Sequence, residues 1–487
     1  MKQEKLLNYL KEIGELNYLV TILRWEMDTQ APKKSFDYLI NVSTKYEMKI
    51  FNKLTSDDYI SLIEDFINCD EFNKISIEEQ IYVKDLKDDF YKFKKVPSDF
   101  YEDFCKLKQN SLNAWVEAKE TNNYELFKPF LKDVIEYTKM YYRFIYPDSD
   151  NLYDCMLNDY EKGIKSELID KLFEELKVEL IPIVKNLKEK NISKVENVLD
   201  DSKFIEFAKF LLDYIGFDNS RGSLGIYTHG YTTKFNRNDE RITFSNRDNP
   251  LDSISTIVHE GGHGIFDQNI GEKLAKYETY DVSKYALHES QSRFYENILG
   301  RRKSFFVPIY DEIKKYLNID LSIDEFVSCF NNAHPSLVRT ESDELTYCLH
   351  IIIRYEIEKE IFNGNIDLDK LPEIWNNKYQ EYLGVSSSNY SQGILQDMHW
   401  SDGSFGYFPS YLLGSIFDGM LLDLVNEKVG NVDTILEEGR IKEITKFLND
   451  NIHKYGGAYN INEVSNRICG KDLEVSSIIK YFKDKYE

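Results

Sequence analysis

The sequence predicts a mainly α-helical protein built as one large domain over residues 1–487. Three observations carry this expectation. Glycine (23) and proline (10) are scarce for the chain length, so little interrupts a helix. Long stretches such as 164–180 and 345–362 contain neither residue. No proline- or serine-rich linker and no internal repeat divides the chain, and a hydrophobic content of 42% is ample for a core.

Taken in order, residues 1–30 read as an amphipathic helix, with Leu6, Leu7, Leu10, Ile13 and Leu16 at three- and four-residue intervals. Asp28-Thr-Gln-Ala-Pro-Lys33 ends it, and a second helix is expected over 35–54. Thr55-Ser-Asp-Asp58 and Ser76-Ile-Glu-Glu79 are capping stretches that start new helices. The pattern stays helical to Tyr142, with breaks expected at Pro97 and Pro129. A turn-rich loop spans 146–154, and long helices resume to about Phe210. Between 217 and 250 the composition shifts to Thr, Tyr and Gly, which predicts a hairpin or a three-stranded sheet. An edge strand there could hold an extended peptide by strand addition.

The next helix, 253–266, carries His259-Glu260-Gly-Gly-His263. Residues four apart share a helix face, so the two imidazoles can reach one ion, with Glu260 beside it as a general base for water. Catalytic zinc usually takes three protein ligands and keeps a position open. Glu289, 26 residues beyond His263 in His288-Glu-Ser-Gln291, is the candidate third ligand. Its helix is expected over 285–299 with Leu287, Phe294 and Ile298 buried, and His288 and Gln291 as hydrogen-bonding supports. After a turn at His334-Pro-Ser336, a long helix carries His350, Arg354 and Glu358. A loop from Gly393 to Tyr411 is rich in glycine and aromatic residues, a composition that points to function. The tail from Leu421 reads as scaffold helices.

A net charge of −23 argues against nucleic acid or an anionic membrane as partner. No run approaches the roughly 18 apolar residues of a membrane span. The first ten residues lack the apolar core of a signal peptide. The six cysteines form no Cys-x-x-Cys and read as reduced thiols of a cytosolic protein.

Several segments, in order, resemble one family, the carboxypeptidase Taq-type zinc metallopeptidases. They are Asp239-Glu-Arg-Ile-Thr243, His259-Glu-Gly-Gly-His263, His288-Glu-Ser-Gln291, Val338-Arg-Thr-Glu-Ser-Asp343 and Gly393-Ile-Leu-Gln-Asp-Met-His-Trp400, the last continuing Phe-Gly-Tyr-Phe-Pro-Ser-Tyr411. The stretches 25–32 and 153–163 also resemble family landmarks. Two positions depart from the pattern: His229-Gly-Tyr231 replaces His-Pro-Phe, and Ser342-Asp343 replaces Ala-Asp.

The resemblance implies a helical fold like that of neurolysin and angiotensin-converting enzyme, with a deep groove and a small sheet beside the metal helix. It also implies a cytoplasmic homodimer that releases single residues from peptide C-termini. Zinc, replaceable by cobalt or another divalent ion, would be held by His259, His263 and Glu289, with Glu260 as base. Tyr407, Tyr411 and His399 are candidates to stabilise the tetrahedral intermediate. Arg241 and Arg339 are candidates to bind the substrate carboxylate, and His229 to contact substrate. Gln396 and Asp397 are expected to support the ligand histidines. His334, His350 and His453 are read as structural. A metallo-oligopeptidase that cuts internally, and a peptide-binding protein without activity, are the competing functions.

Overall fold

The protein is described here by a computed structural model, which covers residues 1–188, 195–227, 230–247, 249–279 and 284–487. The first helix, Lys2–Thr29, buries Leu6, Leu10 and Ile13 as the spacing predicts. The second, Phe36–Leu54, buries only Ser43 and stays largely in solvent. Ser56 caps the helix Asp57–Ile67. Ser76 and Glu79 close a capping box at Ile77–Lys94. Pro97 stands just before Ser98–Glu120. Pro129, expected as a break, lies inside Tyr124–Ile145. The chain turns a few residues earlier instead, where Asn122 takes φ 53° and Asn123 caps the helix. Pro129 forfeits a single backbone bond near the helix start, and buried Phe127, Leu131 and Val134 hold that helix in place.

The segment of altered composition is a three-stranded sheet: β1 (Gly222–Ile226), β2 (Tyr231–Asn236) and β3 (Asp239–Phe244), in the order β1-β3-β2. β1 runs parallel and β2 antiparallel to β3, which leaves β2 as an edge. Ile242 and Phe244 are fully buried, and Ile242 meets the helix Pro250–Gln268 at Gly264. Asn249 caps that helix and Pro250 occupies its first turn.

Gly262 brings the two motif helices together. A Cβ there would stand 2.7 Å from Ser292 Cα and 2.8 Å from the Gln291 carbonyl oxygen, so Pro250–Gln268 and Tyr285–Arg293 touch backbone to backbone. The expected helix over 285–299 changes character at Phe294, where a π-helical turn runs to Leu299. Leu287, Phe294 and Ile298 are buried as anticipated.

The stretch expected as a loop to Tyr411 becomes helical at Phe408 and continues to Lys428. That helix is long and apolar enough to cross a membrane by length and composition alone, but 83% of its apolar window is buried inside the protein. It is therefore a core helix. One apolar cluster of buried residues extends from Leu6 to Phe482.

Candidate metal centre and active site

His259 and His263 project from successive turns of Pro250–Gln268 toward Glu289 on the neighbouring helix. Glu289 Oε2 lies 4.0 Å from His259 Nε2 and 3.6 Å from His263 Nε2. All three ligand atoms fall within 4.8 Å of one another, the one such cluster among the described residues. The three side chains are close enough to share a single metal ion.

The charges around the cluster also call for a cation. Burial opposes a charge on His259, yet Glu296, 2.8 Å from its Nδ1, together with Glu289 and Glu260 lifts its pKa to about 9. Burial and the neighbouring His288 push His263 down to about 4. Glu289 is also buried, but Arg293, His263 and His259 hold its carboxyl well below the usual range. Arg293 Nε donates to Glu289 Oε1 at 2.6 Å, and its guanidinium lies 3.9 Å over the Tyr347 ring. The donor set and its charge fit a divalent metal.

Glu260 stands beside the cluster. Burial raises its pKa, and its Oε2 accepts from Thr232 Oγ1 at 2.8 Å, so the edge strand β2 orients it. A cavity of about 800 Å³ opens here, walled by Gly230–Thr232 on one side and by Tyr285, Arg339, Tyr407 and Tyr411 on the others. The Tyr407 and Tyr411 rings pack at 4.9 Å, and burial raises both hydroxyl pKa values, keeping them as proton donors.

The two arginines part company. Arg339 is buried on the cavity wall, with Nη2 2.9 Å from Asp397 and Nη1 3.0 Å from the Tyr347 hydroxyl. Arg241 is absent from that wall. It pairs with Asp239 through two 2.9 Å bonds and lies 4.0 Å over Phe235. Side chains alternate along β3, so Glu240 and Ile242 face inward while Arg241 points to the other side of the sheet.

The family description for carboxypeptidase Taq (M32) metallopeptidases matches residues 5–486. The chain belongs to this family. It is 34% identical to carboxypeptidase 1 of Bacillus subtilis over 99% of this chain and 98% of that one. A solved structure of Pyrococcus furiosus carboxypeptidase covers 100% of this chain and 99% of its own, with a TM-score of 0.93 at 26% identity. An M32 carboxypeptidase from Deinococcus radiodurans, 22% identical, has the same fold at a TM-score of 0.94, covering 100% of this chain and 98% of its own.

In this metallocarboxypeptidase the remaining candidates sort by contact. His288 bonds Asp267 at 3.1 Å and stacks on the His263 ring at 4.3 Å, so it braces that candidate ligand by its face. Gln291, expected to support a ligand, instead bonds His453 Nε2 at 2.7 Å on the far side of its helix. Gln396 and Asp397 are likewise displaced from the expected role. Gln396 Oε1 accepts from the Arg339 backbone N–H and from Arg354, and Asp397 bridges the two arginines. His399 stacks behind Tyr407 at 5.7 Å and is not part of the cavity wall. His229 lies outside the described residues.

Glu296 and Arg293 also hold the cluster, and Thr232 holds Glu260 beside it; the motifs single out none of the three. Helical spacing offered a signal for two of them, because Arg293 and Glu296 follow Glu289 by four and seven residues. The π-helical turn starts between them, and its wider winding carries Glu296.

Proposed function

We propose that the protein is a zinc-dependent carboxypeptidase that releases single amino acids from peptide C-termini. The observation that carries this reading is the convergence of His259, His263 and Glu289 beside Glu260, in a cavity whose wall also presents a buried arginine. His259, His263 and Glu289 would hold a divalent ion, zinc by the donor set and cobalt or another by substitution, which would supply Lewis acidity for the attack of water on the scissile carbonyl. Glu260 takes the proton as water attacks and returns it to the leaving amine. Thr232 fixes the orientation of that carboxylate through its hydroxyl. Tyr407 and Tyr411 donate hydrogen bonds to the oxygen that gains charge, and His399 backs Tyr407 from behind.

Substrate backbone pairs with the free edge of β2, while Arg339 receives the terminal carboxylate. Asp397 and Tyr347 fix the plane of the Arg339 guanidinium and leave N–H groups to spare on Nη1 and Nη2. The family resemblance supports a single catalytic domain working in the cytoplasm as a homodimer.

The test pairs enzyme and substrate changes. Amidating the C-terminus of an N-blocked peptide lowers kcat/KM at least about tenfold, or ~1.4 kcal/mol. Arg339→Met costs as much on the free acid and almost nothing on the amide, whereas Arg241→Met shows no such coupling. Equal cleavage of acid and amide points to an oligopeptidase that cuts internally. Discrimination without coupling to Arg339 leaves the exopeptidase and removes only this anchor.

A further inference from the structure

Glu358 is fully buried on the helix Glu344–Phe362, away from the metal ligands, and no step of the mechanism uses it. Its carboxylate nevertheless accepts three hydrogen bonds. Trp400 Nε1 donates to Oε1 at 2.7 Å, while the Tyr153 hydroxyl and the Gly406 backbone N–H donate to Oε2 at 2.9 Å each. Two of these donors are chain neighbours of the aromatic-loop candidates: Trp400 follows His399, and Gly406 precedes Tyr407.

Gly406 has little freedom. Its φ of +84° suits glycine, and a Cβ there would lie 3.1 Å from the backbone of Met156 and Leu157. The residue is thus clamped between the Glu358 carboxylate and the helix Leu152–Tyr160, at the point where the chain turns Tyr407 into the cavity. One helical turn before Glu358, Arg354 holds the other end of the same stretch through Gln396 and Asp397. Both ends of the loop are therefore gripped from one helix. A buried carboxylate is expensive to desolvate, and an apolar filler often stabilises such a spot better, so its presence favours a role in fixing one conformation.

We propose that Glu358 is a positioning residue for catalysis, holding the 399–407 loop so that Tyr407, backed by His399, faces the reacting carbonyl. The inference rests on the reading of Tyr407 as a donor to the intermediate. Glu358→Gln keeps the shape but turns an N–H group toward either Trp400 Nε1 or the Gly406 backbone N–H, both of which can only donate. The expected result is a kcat at least about tenfold lower with KM within about twofold, and metal content unchanged by elemental analysis. Tyr153→Phe, which removes a single bond, moves kcat the same way by less and serves should the glutamine variant fail to fold.

Introducing Glu358→Gln into Tyr407→Phe should change kcat less than about twofold, because the group it places is already gone. An equal loss in both backgrounds means general damage and overturns the proposal. A crystal structure of Glu358→Gln gives a second readout, independent of activity: a displaced Tyr407 ring is expected, and an unmoved ring overturns the proposal. Should Tyr407→Phe keep full kcat, the catalytic reading of Tyr407 falls and takes this role for Glu358 with it. The crystal structure then says whether the loop is still held there.

Discussion

Replacing Glu260 by glutamine lowers kcat by about a thousandfold or more while the metal stays bound. General acid–base groups contribute roughly 10²–10⁴ in rate, and glutamine keeps the hydrogen bond from Thr232 but cannot accept a proton. Glu260 accepts from Thr232, whereas Glu289 faces the two imidazoles and is locked by Arg293. Glu289→Gln therefore fails differently, losing affinity for the ion first. Elemental analysis of both variants after mild dialysis separates the roles, and equal metal content in the two contradicts this division.

His263→Ala produces the other large effect. Its imidazole lies nearest the Glu289 carboxylate and is seated by the ring of His288, so its loss leaves two ligands that cannot close the site. The wild-type chain should carry close to one equivalent of divalent metal, and the variant almost none, with activity at background. A chelator should remove activity from the wild type, and added zinc should restore it. A variant that keeps both metal and turnover contradicts the ligand assignment.

The convergence of His259, His263 and Glu289 is legible in the sequence because local spacing encodes it. A four-residue repeat on one helix places two imidazoles, and a second motif on the next helix offers the glutamate. The small sheet was legible from composition, although one strand's worth of ambiguity remained until β1 was found parallel to β3. What was not legible depends on tertiary contact. Arg241 and Arg339 look alike as motif members, and only the alternation of β3 against its helix sends Arg241 away from the cavity. Gln396 and Asp397 read as ligand supports, but a buried pair of arginines claims them. Glu296 is hidden in the sequence because an α-helical template does not anticipate a π-helical turn. Pro129 does not break its helix, since packing overrides the local breaker.

Trimming from the C-terminal end separates the proposed carboxypeptidase from an enzyme that cuts internally. Mass spectrometry of an N-blocked peptide of about ten residues, sampled over time with the zinc-loaded protein, tests it most directly. A ladder of products is expected, each shorter by one C-terminal residue, that disappears with Glu260→Gln. Internal fragments appearing before any ladder would contradict it.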